Sequence, residues 1–330
     1  MPVTLAQAKL NAQEDLDVAV IDEFQKSSWL LDNMTFKDVV NPAGGGDTLT
    51  YGYNRLITQA TAGFRAINAE YTPGEVTKQH FSVELKPLGG SFQIDRVLTD
   101  IGPAAAGEVA LQMSQKIKAT NAAFSDAVVN GDTAIDANGF DGLSKALVGS
   151  STELGSGTYL DWTGINTEAL AHSAIDVMDL FLSVLDGEPS AVLGNLKLIL
   201  KLKSIARRAG YLEESIDGFG RNIVKYGNVV LIDPGKKAGS NNDIIPVETR
   251  DVDGVGAGGN ITGVTDMYAV RLGLDAFHGV SVTGGRLVKT WLPDHNTAGA
   301  VKTGEVEMGP VAVALKRSKS AAVYRNIKVQ

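Results

Sequence analysis

Residues Gly102 to Asn130, GPAAAGEVALQMSQKIKATNAAFSDAVVN, decide how the rest of the 330-residue chain is read. Apolar side chains recur at Val109, Met113, Ile117, Ala123/Phe124 and Val128, steps of three and four that put them along one stripe of a helix. Pro103 suits the first turn, where a missing N–H costs nothing, and Gly131 supplies the stop. At ~1.5 Å per residue such a helix runs roughly 40 Å, longer than a small domain is wide. Small residues crowd it, so other elements can lie close. The spacing predicts one long helix over 102–130.

Upstream, Phe92 to Leu98 leads into this helix. Before it, His80, Ser82, Glu84 and Lys86 alternate with Phe81, Val83 and Leu85, which predicts a strand with two distinct faces. A second strand is predicted over Thr48–Tyr53. The long polar stretch from Asn54 to Gln79 between them points to a projecting hairpin, because long irregular segments in compact domains are uncommon and usually functional. Such a hairpin stands away from its own core and needs a partner. The run Asn41 to Asp47 is a chain breaker, and residues 1–32 read as amphipathic helical pieces with Ala8, Leu10, Leu16, Val20, Phe24 and Leu30/Leu31 on one side.

Downstream, the glycine–serine run Gly149–Gly157 reads as a linker between two units. The second half alternates helix and strand. Helices are predicted over Glu168–Leu185, with Leu170, Ala174, Val177, Phe181 and Leu185 inward, and over Asn195–Ala209. Strands are predicted at Ser190–Leu193, Val229–Ile232, Met267–Leu272, Val280–Val282, Val311–Leu315 and Ala322–Val329. The fold class is therefore α+β, with an α/β second unit.

Composition narrows the function. A net charge of −8 argues against a protein whose main task is gripping nucleic-acid phosphates. The one basic cluster, Lys316, Arg317, Lys319, Arg325 and Lys328, reads as ion-pair partners or a solvated face. With no cysteine, disulfide frameworks, thiolate metal sites and thiol catalysis are excluded. The first residues lack the basic and apolar regions of a signal peptide, and no apolar run approaches the ~20 residues a membrane span requires. The expectation is a soluble chain made in the cytoplasm, with no membrane contact.

No active site assembles from the residues. There is no G-x-S-x-G, and the four histidines, His80, His172, His278 and His295, lack metalloprotease spacing and read as surface or hydrogen-bonded residues. Gly254–Gly259 matches G-x-G-x-x-G, but no helical pattern follows it to face a pyrophosphate. Asp132, Asp136, Asn138 and Asp141 lack the terminal glutamate of a calcium loop and read as turn formers. Asp95–Arg96 reads as a structural pair. No cofactor or metal is expected.

The order of elements resembles the major capsid proteins of tailed bacteriophages with the Hong Kong 97 fold. Carrying the resemblance are Phe81–Arg96 (FSVELKPLGGSFQIDR), the long helix after it, Gly227–Asp233 (GNVVLID), and Met267–Gly273 (MYAVRLG) followed by Gly279–Val280. It covers nearly the whole chain as phrases in the right order. It implies an N-terminal arm (1–47), an extended loop (48–88), a peripheral domain (89–158 and 301–330) built on a spine helix (102–130), and an axial domain (159–300). The implied function is that of a structural subunit of an icosahedral phage head, not an enzyme. Pentamers and hexamers would close into a shell around double-stranded DNA, held without sequence-specific binding. Arms and loops reaching across interfaces suit this, since symmetry multiplies each weak contact.

The same resemblance implies a portal protein as partner and location in the virion after synthesis in the host bacterial cytoplasm. Because the arm is reached within the first residues, a separate scaffolding protein is expected. Some members join the extended loop covalently to a neighbour through lysine and asparagine, but no lysine lies between Asn54 and Thr77, so closure is expected to be non-covalent. The expected inter-subunit contacts are Phe24, Trp29, Arg65, Glu70, Glu75 and Lys78. Competing readings are an encapsulin-type compartment around an enzyme cargo, a tail-tube or adaptor protein, and an α/β enzyme using His295, Asp294 and Arg271.

Overall fold

The computed structural model describes residues 29–40, 49–97, 103–210, 213–216, 222–252, 259–282, 287–294 and 296–330. Of the expected amphipathic pieces in 1–32, residues 1–28 lie outside this set, as do His295 and most of the Gly254–Gly259 motif.

Helix α1 (Trp29–Asn33) passes into strand β1 (Phe36–Val40), and β2 (Thr50–Leu56) and β3 (Lys78–Glu84) follow. Then come β4 (Lys86–Asp95), helix α2 (Pro103–Asn130), helix α3 (Leu143–Ala146) and the short strands β5 (Glu153–Leu154) and β6 (Leu160–Asp161). Helix α4 (Glu168–Ser183), β7 (Ala191–Gly194), helix α5 (Leu196–Arg208), β8 (Glu213–Ile216), β9 (Asn222–Tyr226) and β10 (Val229–Ile232) form the next stretch. Strands β11 (Glu248–Asp251), β12 (Asn260–Val270), β13 (Phe277–Val282), β14 (Val288–Trp291), β15 (Val301–Leu315) and β16 (Ala321–Lys328) complete it.

Two sheets and a separate ribbon result. A five-stranded sheet has the order β1-β13-β15-β14, with β4 pairing along β15. A nine-stranded sheet has the order β5-β16-β12-β7-β10-β9-β8, with β11 on β12 and β6 on β16. The ribbon is β2 with β3.

The predicted long helix is α2, and it serves both halves of the molecule. Its first half lays Val109, Met113 and Ile117 against Phe92, Val306 and Val288 of the five-stranded sheet. Its second half sends Phe124, Val128 and Val129, all fully buried, into the main core shared with Leu193, Tyr268 and Val323 of the nine-stranded sheet. Buried Thr120 and Ser125 return their hydroxyls to the carbonyls of Lys116 and Asn121, so neither is left unsatisfied. At its end the Asn130 carboxamide donates to Asp126 and to the Ile244 carbonyl, each at 2.7 Å. A Cβ on Gly131 would lie 2.2 Å from the Phe140 carbonyl, so this stop must be glycine.

Helices α4 and α5 cover the nine-stranded sheet, and α5 followed by the β8–β9 hairpin forms the connection between the parallel strands β7 and β10. Thr167 caps α4 and Asn195 caps α5, each side chain accepting a first-turn backbone N–H. The inward stripe of α4 is Ala171, Ala174, Met178, Phe181 and Leu185, whereas Leu170 is 47% exposed. This corrects the expected face, which had Leu170 and Val177 inward. The helix is apolar on more than one side, so periodicity alone does not choose the face, and packing on the sheet does.

The strand pairing divides residues 301–330, which the resemblance assigns together. Strand β15 belongs to the five-stranded sheet beside α2, but β16 lies between β12 and β5 in the nine-stranded sheet. Burial explains the split: Ala321, Ala322 and Val323 are fully buried, as a strand with neighbours on both edges and cover on both faces requires.

Candidate subunit interface

The ribbon β2–β3 is an unbroken antiparallel pair from Thr50 opposite Glu84 to Leu56 opposite Lys78. Ile57 N–H continues it by donating to Thr77 O at 2.9 Å, and the hydroxyls of Thr58 and Thr77 meet at 2.7 Å. Beyond this clasp the chain makes one long excursion, 59–76, exposed throughout.

The base of the hairpin is anchored to the five-stranded sheet by aromatic and cationic side chains. Tyr53 stacks on Phe81 with ring centroids 6.0 Å apart, and the Arg55 guanidinium lies 4.2 Å from the Phe81 centroid. Tyr53 Oη donates to Leu315 O at 2.9 Å, and Arg55 donates to the carbonyls of Leu315 and Lys316. Burial pushes the Tyr53 hydroxyl above its usual range, against the opposing influence of Arg55. Tyr51, nearly buried, meets His278 edge-on at 6.1 Å, while the ammonium groups of Lys37 and Lys316 sit 5.7 and 5.9 Å from the Tyr51 centroid.

His278 is fully buried, and neither ring nitrogen has a hydrogen-bond partner among the described residues. Burial first, then the neighbouring Lys316, brings its pKa down to about 4; the Ala276 carbonyl opposes this from outside hydrogen-bond geometry. This corrects the reading of His278 as a surface or hydrogen-bonded residue.

The tip is the opposite of the base. Phe64 is completely exposed, Ile67 is 92% exposed and Tyr71 is 65% exposed. Burying side chains of this size stabilises by about 1.5–3 kcal/mol each, so leaving three in water marks a surface built for contact. Arg65 organises the tip from within: it donates to Ala66 O and Ala69 O and lies 5.3 Å from the Tyr71 centroid. Beside the base runs a groove of about 680 Å³ between Arg55 and Phe81 on one wall and Asp141 and Lys145 on the other.

Of the expected contact residues, Arg65, Glu70, Glu75 and Lys78 lie exposed along this hairpin. Phe24 lies outside the described residues. Trp29, expected at an interface, is instead 9% exposed and packed in the chain's own core, where its ring is already removed from water. The tip residues Phe64, Ile67 and Tyr71 were missed by calling 54–79 polar. Their signal is three large apolar residues between Gly63 and Pro73 with neither strand alternation nor a helix of their own.

Of the residues considered for catalysis, His295 lies outside the described residues, and Arg271 and Asp294 have other partners. Arg271 is committed to Asp275 at 2.6 Å and to the Asp186 carbonyl, and Asp294 accepts from Asn296 N–H in a turn. Asp95 accepts from Val97 N–H at 2.9 Å. Asp132, Asp136 and Asp141 each accept a loop N–H, and the Asp132 carboxyl is held below its usual range by Ala134 N–H and Lys145. No group of acids and histidines placed to hold a metal occurs among the described residues. Three of the five residues of the basic cluster near the C-terminus are in ion pairs, Arg317 with Asp186 and Asp275, Arg325 with Glu153 and Lys328 with Asp161, and Lys316 donates to the Leu274 carbonyl. No helix of the described residues is long and apolar enough to cross a membrane.

No protein-family model matches the sequence, and no curated protein matches it significantly. Solved structures match along its whole length. The holo-SrpI encapsulin complex of Synechococcus elongatus supplies a chain 14% identical, with 100% of this chain and 98% of that one covered and a TM-score of 0.57. A chain from Mycobacterium phage Bobi is 12% identical over 99% of both chains, with a TM-score of 0.58. The capsid of Myoviridae phage XM1 is 14% identical over 98% of this chain and 99% of that one, with a TM-score of 0.52. Long helix, projecting hairpin and nine-stranded sheet thus have the Hong Kong 97-like fold of phage capsid and encapsulin shells.

Proposed function

We propose that the chain is the structural subunit of an icosahedral bacteriophage head, assembling through pentamers and hexamers into a closed shell around double-stranded DNA. The carrying observation is the hairpin: a base fixed by Tyr53 and Arg55, and a tip on which Phe64, Ile67 and Tyr71 stand largely exposed. A neighbouring copy covers that tip. On this reading residues 48–88 are the extended loop, the five-stranded sheet and α2 the peripheral domain, and the nine-stranded sheet with α4 and α5 the axial domain. Arg65, Glu70, Glu75 and Lys78 meet the neighbour along the hairpin. A separate scaffolding protein and a portal complete the assembly, and the finished shell resides in the virion.

Negative-stain microscopy of the expressed chain tests this, alone and with a candidate scaffold. Closed shells or rings of five and six subunits are expected, and a monomer under every condition overturns the reading. The encapsulin match fits a second reading, an encapsulin-type compartment around an enzyme cargo. The contents of purified particles, DNA or protein, separate the two.

A further inference from the structure

The chain contains two Asn–Gly pairs, Asn130–Gly131 and Asn138–Gly139, eight residues apart. An Asn–Gly pair is the dipeptide most open to succinimide formation, because glycine has no side chain to hinder the attack of its own backbone nitrogen. The fold treats the two pairs differently. Asn130 closes α2 with its carboxamide donated to Asp126 and Ile244 O, each at 2.7 Å. The nitrogen that would attack, Gly131 N, donates to Ala127 O at 2.9 Å, and the glycine is packed against the Phe140 carbonyl. Neither reacting group is free to move toward the other.

Asn138 lies exposed in the loop between α2 and α3, and its carboxamide has no partner among the described residues. Gly139 N–H makes one turn bond, to Asp136 O at 3.0 Å, which water can replace. We infer that Asn138 is a site of spontaneous deamidation in the folded protein and that Asn130 is protected. In the reaction Gly139 N attacks Cγ of Asn138, the N–H proton is lost, the Cγ–Nδ2 bond breaks and ammonia leaves. Water then opens the succinimide to aspartate or isoaspartate at position 138. The product adds a negative charge to the groove of about 620 Å³ that Asn138 and Gly139 line together with Lys86 and Lys237. That groove runs beside the root of the projecting hairpin, so the charge marks the age of a subunit where its hairpin joins the body.

The test is prolonged incubation of the full-length folded chain in mildly alkaline buffer, followed by tryptic digestion. Electron-transfer fragmentation of the peptide 119–145, which holds both pairs, locates the gain of about 1 Da. Asn138 is expected to convert about tenfold or more faster than Asn130, the difference reflecting local opening of the helix end. In urea the two rates converge. Gly139→Ala, whose added Cβ meets nothing nearer than Asp136 O at 3.4 Å, is expected to slow Asn138 about tenfold while thermal unfolding stays unchanged. Conversion of Asn130 as fast as Asn138 in the folded chain overturns the inference. So does an Asn138 that reacts in urea but not in the fold.

Discussion

The hydroxyl of Tyr53 on the projecting hairpin donates to the carbonyl of Leu315, 2.9 Å away in space and 262 residues away in sequence. With the two bonds from Arg55 it fixes where the hairpin leaves the five-stranded sheet. Tyr53→Phe removes one hydrogen bond, and Arg55 still donates to Leu315 O. A loss of about 0.5–1 kcal/mol is expected in urea unfolding. Amide exchange across β2 and β3 should rise, with the rest of the sheet unchanged.

Replacing Phe64, Ile67 and Tyr71 together by serine should leave the isolated chain as stable as before, within about 0.5 kcal/mol per site, since none is buried in it. Assembly should be lost. Sedimentation velocity and calorimetry on the same preparation separate these outcomes; a variant that still forms shells would exclude the tip from the interface.

His278 makes stability depend on pH. Its pKa is about 4 in the fold against the ordinary 6.5 of histidine, so the unfolded chain binds more protons between these values. The group's contribution is therefore fully present above pH 6.5 and is lost as pH falls toward 4, amounting to about 3 kcal/mol at the bottom of the window. Because the ring lies against Tyr51, the hairpin base should loosen first. His278→Gln should flatten the dependence in that window; an unchanged pH profile would contradict the assignment.

Asp266 accepts from Arg250 at 2.6 Å and from Asn326 N–H at 3.0 Å, tying β11, β12 and β16 together in a buried position. Asp266→Ala leaves Arg250 with Glu248 at 2.7 Å as its remaining carboxylate and Asn326 N–H without its acceptor, and should cost about 1.5–3 kcal/mol in chemical denaturation. Asp266→Asn keeps the shape and an acceptor, and should recover part of that loss.

If the shell forms, its closure should be non-covalent. Boiled particles on an SDS gel are expected to run as a single monomer band, because Lys78 at the hairpin base is the first lysine after Asn54. A ladder of higher species would contradict this.

The sequence by itself determined the elements whose signal is local. Helix α2 was legible to within a residue because its stripe, its early proline and its terminal glycine agree. The hairpin was legible because alternation at Phe81–Leu85 sits across a long polar stretch from Thr48–Tyr53. Only the tertiary structure decided which side of an ambiguous element is inside. Leu170 faces water and Ala171 does not because the sheet, not the helical period, chose the face of α4. Trp29 is core, Phe64 is bare, and β16 joins the nine-stranded sheet for the same reason. His278 became titratable in a new range only when β2 was laid across β13, bringing Tyr51, Lys37 and Lys316 around it. Burial and charge are summed over groups distant in the chain, and local pattern carries no record of that sum.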